Sequence, residues 1–166
     1  MYPPQMPEHR VLIVGNSGAG KSTLARRLAS DRAAHHLDLD LFAWQPTEPP
    51  ERTPLDEADR QIRRALANHP RWVVEGCYAD LVGLLAAEAD ELIFLDLPVA
   101  VCEAHAQARP WEPHKYATKD EQDRKLPMLL DWIAAYPTRE GPLGRPAHEA
   151  LFEAFQGTRQ RITAAP

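Results

Sequence analysis

The run "VLIVGNSGAGKST", Val11 to Thr23, constrains this chain more than any other part of it. Four apolar residues end at a glycine and read as a short buried strand. Beyond the loop, "KSTLARRLASDR" reads as a helix with Leu24, Ala25 and Leu28 at core-facing spacing. The loop fits the pattern G-x-x-x-x-G-K-[ST] as Gly15, Gly20, Lys21 and Ser22, between a strand and a helix, the context that gives the pattern its meaning. Successive backbone N–H groups of such a turn point inward, and the following helix adds its positive end, so the loop suits a phosphate. Side chains would block both the turn and the close approach. Gly15, Asn16, Ser17, Gly18, Ala19, Gly20, Lys21, Ser22 and Thr23 are therefore expected around the phosphates of a nucleoside triphosphate. Lys21 would reach the β- and γ-phosphates, and the Ser22 hydroxyl would serve Mg²⁺.

The punctuation of the remaining chain extends this start. "HHLDLDLF", "RWVVEG" and "ELIFLDLP" read as three more short strands, and "GTRQRITAAP" offers no clear fifth. "WQPTEPPERTP" holds four prolines in eleven residues and is expected to be irregular. A helix is expected after it, with Thr53 as N-cap and Pro54 at its first position. "YADLVGLLAAEAD", "VAVCEAHAQA", "PMLLDWIAAY" and "AHEALFEAF" read as further helices, and the polar "RPWEPHKYATKDEQDRK" reads as a segment outside the core. Strands alternating with helices predict parallel βαβ units and a three-layer α/β/α sandwich around a mostly parallel four-stranded sheet, possibly five-stranded. The chain of 166 residues suits one domain over 10–166 behind a Pro-rich leader over 1–9.

Composition excludes several classes. A net charge of −5 argues against broad binding to a large nucleic acid. No apolar run approaches a membrane span, no signal-peptide pattern opens the chain, and the two cysteines, Cys77 and Cys102, suggest no disulfide framework. A cytoplasmic protein is the plain expectation.

Open parallel sheets bind ligands beyond the carboxyl ends of their strands. Three of those ends carry acids here: Asp38 with Asp40, Glu75, and Asp96. Metal-bound water needs a carboxylate, and phosphoryl transfer to a hydroxyl needs another to orient or accept its proton. Glu75, after three apolar residues and before a glycine, suits the metal side. Asp38 and Asp40 share a strand side by period two, so both can face one site. "DLP" at Asp96 reads rather as the start of a helix.

Together "GNSGAGKST", "DLDLFAW", "WVVEGCY" and "IFLDLP" resemble the nucleoside/shikimate-kinase-like group of P-loop proteins, closest to the small adenylate-kinase-related, DNA topology modulation (FlaR-like) proteins. The resemblance covers Val11 to Tyr136 and implies a P-loop NTPase fold using ATP and Mg²⁺. It places the third strand beside the phosphate-loop strand, with Glu75 in a Walker-B-like position. It implies that Asp38 and Asp40 serve acceptor or metal, and that a lid over residues 109–125 supplies cations. Arg109, Lys115 and Arg124 are the candidates. Where such proteins tend to carry an arginine on the preceding helix, this chain has His105. The expected activity is transfer of the γ-phosphoryl group of ATP to a small acceptor, with Lys21, Asp40, Arg109 and Lys115 catalytic and Ser22, Asp38 and Glu75 at the metal. The alternative is an NTP-binding regulator or weak NTPase acting on a macromolecule.

Overall fold

Val11, Leu12, Ile13 and Val14 are all fully buried. Their alternation sends Leu12 and Val14 to one face of a sheet and Val11 and Ile13 to the other. A strand buried on both faces must be central, and the computed structural model, which describes residues 9–165, places it so. Residues 1–8 of the expected leader lie outside the described residues. The strands are β1 (Arg10–Gly15), β2 (His35–Asp38), β3 (Trp72–Gly76), β4 (Glu91–Leu95) and β5 (Thr158–Ile162). They form one sheet in the order β2-β3-β1-β4-β5, with every pairing parallel.

The helices are α1 (Lys21–Arg32), α2 (Asp40–Ala43), α3 (Leu55–Leu66), α4 (Ala79–Leu84), α5 (Val99–Ala108), α6 (Lys119–Ala134) and α7 (Arg145–Ala154). Leu24 and Ala25 of α1, Cys102 and Ala106 of α5 and Ile133 of α6 pack on the face bearing Val11, Ile13 and Ile93. Ala58 and Ile62 of α3, Leu81 and Val82 of α4 and Leu151 of α7 cover the opposite face, bearing Leu12, Val14 and Phe94. Each fully buried aliphatic side chain contributes about 1.5–3 kcal/mol. The three-layer α/β/α sandwich is as expected. No helix of the described residues is long and apolar enough to cross a membrane.

Three local expectations are corrected, and the open strand count is decided. The sheet has a fifth strand: "TRQRI" pairs with β4 from Glu91↔Thr158 to Leu95↔Ile162. β2 ends at Asp38, and Asp40 opens the short helix α2, so period-two alternation does not relate the two acids. Thr53 caps nothing: no side chain caps α3, and Thr53 is buried with its N–H donating to Ala43 O at 2.9 Å. Finally, α6 begins at Lys119 rather than at Pro127, which lies inside it. Thr118 caps it by accepting from Glu121 N at 3.1 Å.

One buried polar cluster ties α7 to the rest. His148 is fully buried; its Nε2–H donates to Cys77 O at 2.7 Å, and Tyr136 OH donates to its Nδ1 at 2.7 Å. The neutral ring satisfies both nitrogens, and burial pushes the pKa of His148 from 6.5 down to about 4. A depressed histidine pKa stabilises the fold above the unfolded value and stops doing so as pH falls through the folded one. Stability is therefore expected to drop between about pH 6.5 and pH 4. His148→Gln should flatten that limb of the urea-midpoint profile, and His148→Ala should cost about 2–3 kcal/mol at neutral pH.

Candidate functional site: a phosphate loop facing paired carboxylates

The phosphate loop is held from both sides. Asn16, buried, donates from Nδ2 to Ile133 O of α6 at 3.2 Å. Gly18 takes a φ of +77° against α5, where a Cβ would lie 2.4 Å from Cys102 O, so only glycine fits. His105 of α5 donates from Nδ1 to Gly18 O at 2.7 Å. His105, at the position where the proteins this chain resembles tend to carry an arginine, is thus a prop of the loop. Gly20, at φ +89°, opens α1, whose first turn has no side-chain cap and no acid. Its free N–H groups suit an anion. Lys21 Nζ curls back to Asn16 O at 2.6 Å, keeping its charge over the loop.

A cleft of about 740 Å³ opens in front of the loop and gathers most of the expected residues. Ser17, Gly18, Gly20, Lys21, Ser22 and Thr23 line it from the loop. Asp38, Asp40 and Glu75 line it from the strand ends, and Arg109 and Lys115 from the α5–α6 connection. Gly15, Asn16 and Ala19 lie behind the lining, and Arg124 sits on the exposed side of α6. Asp96 is elsewhere, paired with Arg145 at 2.7 Å and Arg161 at 3.0 Å. It holds α7 to β5.

The acids divide by location. Glu75, 2 % exposed, accepts from Ser22 Oγ at 2.7 Å, with His36 Nε2 3.4 Å from the same oxygen. Burial pushes its pKa up, but the His36 contact, the Lys21 charge and the Ser22 hydroxyl outweigh burial and leave it below the usual carboxylate range. Asp38 is register partner to Glu75 across β2 and β3. Burial, Glu75 and Asp40 together push it up to about 6. Asp40 is held by other contacts: its Oδ1 accepts from Tyr78 OH at 2.6 Å, Tyr78 OH accepts from Trp44 Nε1 at 2.9 Å, and Lys115 Nζ lies 3.8 Å from Oδ2.

Mg²⁺ prefers one or two carboxylates plus water and phosphate oxygens to an all-protein cage. No group of three or more His, Cys, Asp or Glu residues able to hold a metal occurs among the described residues. Ser22, Glu75 and Asp38 fit the sparser arrangement, because a divalent charge there would relieve the crowding that raises Asp38. That crowding also predicts a stability effect. A carboxyl whose folded pKa is raised stabilises most below its unfolded value, and the contribution is lost as pH rises through the folded one. Asp38→Asn is expected to raise the urea midpoint at pH 7.5 and to lose that gain below about pH 4. Equal midpoints at both pH values would show that Asp38 is not crowded.

Several lining residues carried little signal in the sequence. Arg26, His36, Trp44, Glu112 and Tyr116 all face the cleft. Arg52 supports it from behind, bonding both oxygens of Asp80 and lying 5.0 Å from the Tyr78 ring centroid. An antiparallel bridge between Trp44 and Arg52 closes the Pro-rich segment and places Arg52 there. The lid expected over 109–125 is an irregular stretch only to Thr118, after which α6 begins. It is internally bonded through Glu112 N to Gln122 Oε1 at 2.8 Å and Gln122 Nε2 to Pro110 O at 3.1 Å.

A parallel sheet in this order, a glycine-rich loop between β1 and α1, and helices on both faces define a P-loop kinase-like α/β/α fold. No family model matches the chain. The chain is similar to the uncharacterized protein YqaC of Bacillus subtilis (strain 168), 27% identical over 134 residues, which is 75% of this chain and 70% of that protein. Among solved structures it is similar to shikimate kinase from Acinetobacter baumannii in complex with shikimate. The match has a TM-score of 0.44 and 19% identity, over 87% of this chain and 92% of that one.

Proposed function

We propose that this chain is a Mg²⁺-dependent phosphotransferase that moves the γ-phosphoryl group of ATP to a hydroxyl of a small acceptor. Its motifs resemble the FlaR-like members of the P-loop kinases most. The observation that carries the reading is that one cleft joins the phosphate loop to a pair of carboxylates at the end of β2. In-line transfer needs a cradle for the donor and a carboxylate for the acceptor hydroxyl, facing each other. Lys21 and the α1 N-terminus meet the phosphate charge. Ser22, Glu75 and Asp38 would hold Mg²⁺, which when bound neutralises charge on the β- and γ-phosphate oxygens. Asp40, positioned by Tyr78, orients the acceptor hydroxyl and takes its proton. Arg109 and Lys115 add cations from the α5–α6 connection and exclude water.

The test is γ-labelled ATP with Mg²⁺ and a panel of hydroxyl compounds. Label is expected in a phosphate ester. Release of inorganic phosphate alone, at a rate indifferent to the whole panel, would instead support an NTPase or NTP-binding regulator.

A further inference from the structure

The acceptor half of the cleft has a particular polarity. Its fixed wall is built by β2, α2 and the β3–α4 connection, and Asp38, Asp40, Trp44, Cys77 and Tyr78 line it there. The donors of this wall are already used. Trp44 Nε1–H goes to Tyr78 OH, Tyr78 O–H goes to Asp40 Oδ1, and Asp40 N–H goes to Asp38 Oδ1 at 2.9 Å. Apart from the weak donor of the Cys77 thiol, the remaining capacity is acceptor: the outer oxygens of Asp38 and of Asp40, the latter 3.8 Å from Lys115 Nζ. Beside them the Trp44 indole, 42% exposed, offers an apolar face.

The positive charges of the cleft are already paired or lie on its phosphate side, and one of them, Lys115, reaches this wall. Lys21 sits over the phosphate loop. Arg109 pairs with Glu112 at 3.4 Å, and Lys115 lies 3.8 Å from both Asp40 and Glu112. Arg52, the nearest guanidinium behind the wall, is held by both oxygens of Asp80. Arg26 also lines the cleft, but it stands one helical turn from Ser22 on the same side of α1, the phosphate side.

A wall of acceptors whose one nearby cation, Lys115, is already shared between Asp40 and Glu112 selects against an anion and for a molecule that brings hydrogen-bond donors. Resting on the phosphotransferase reading above, we infer that the acceptor is an uncharged or amine-bearing polyhydroxyl compound with a flat or apolar face, and carries no phosphate or carboxylate into this wall. The hydroxyl oxygen attacks the γ-phosphorus, the bond from that phosphorus to the β–γ bridging oxygen breaks, and the hydroxyl proton passes to Asp40. The products are a phosphate monoester and ADP. An adjacent hydroxyl or ammonium donates to the Asp38 oxygen that does not serve Mg²⁺, and the apolar face lies on Trp44.

The inference is tested with matched probes and the full chain, saturated with Mg²⁺ and a non-hydrolysable ATP analogue. The probes are cytidine against cytidine monophosphate, and glucosamine against glucosamine phosphate. Binding is read by titration calorimetry and by tryptophan emission, with Trp44→Phe identifying the Trp44 signal. The neutral or cationic member of at least one pair is expected to bind about tenfold or more tightly than its phosphorylated partner. Arg26→Gln should leave that order unchanged, whereas Asp38→Asn and Asp40→Asn should narrow it. Phosphorylated members that bind as tightly as their partners in both pairs overturn the inference, and so does silence of every neutral member. Failure of the ATP analogue itself to bind, read separately by calorimetry, would strike the phosphotransferase reading instead.

Discussion

Lys21→Ala is expected to lose about 10²–10³-fold in kcat/KM for ATP while remaining folded. The loss follows from its place: its Nζ lies over the phosphate loop, 2.6 Å from Asn16 O, and the first turn of α1 brings neither acid nor side-chain cap to compete for the phosphate. Folding should survive because Lys21 is only half-buried, and its hydrogen bond is to the Asn16 carbonyl of its own loop. Such positions usually change stability by no more than about 0.5 kcal/mol. Calorimetry with ATP and an urea midpoint together check this. Parent-like ATP affinity in the folded variant would mean that this loop does not bind phosphate.

The second large effect is expected at Asp40. Asp40→Asn should reduce single-turnover transfer by about 10²–10⁴-fold with ATP affinity nearly intact. The amide oxygen of asparagine can still accept from Tyr78 OH, so the side chain keeps its place and loses only its ability to take a proton. Tyr78→Phe should show the positioning part alone, a loss of about tenfold with the carboxylate retained. If Asp40→Asn loses ATP–Mg²⁺ affinity in parallel with turnover, Asp40 belongs to the metal. Asp38 would then be the group to examine as base.

The strong local signals in the sequence led directly to the central fold. β1, its loop and α1 follow from an apolar run, glycines and helical spacing that all agree. β5 was hidden because it is an edge strand: Thr158, Arg159 and Gln160 are exposed, so no apolar alternation marks it. Charges on such an edge are a defence against stray pairing and resemble loop composition. The start of α6 was hidden by proline. Pro127 suggested a boundary, while the readable signal was Thr118 followed three residues later by Glu121.

In the site, Glu75 was legible as a buried acid on an apolar strand, and Asp38 as the last residue of its neighbour. Asp40 reaches the same cleft for a different reason from the one its spacing suggested. The chain turns into α2, and Tyr78 from another connection holds the carboxylate in place. Long-range contacts of this kind leave no local pattern. The same holds for Arg52, set against Trp44 by the closure of a Pro-rich segment.

Both helices that flank the α5–α6 connection are fastened to the phosphate loop. α5 meets it at Gly18 through His105 and Cys102, and α6 meets it at Asn16 through Ile133 O. The stretch over the cleft is therefore rooted against the loop at its α5 end, whereas its α6 end, at Lys119, lies about 20 Å along the helix from Ile133. Its far contact, Lys115 to Asp40, lies across the path to the acceptor wall. On the phosphotransferase reading proposed above, a molecule heading for that wall would have to part this contact, whereas a nucleotide on the loop would meet the stretch only at its α5 end and leave the contact closed. The consequence is kinetic: the two ligands are not equivalent arrivals, and a compulsory order of addition would show in initial-rate patterns.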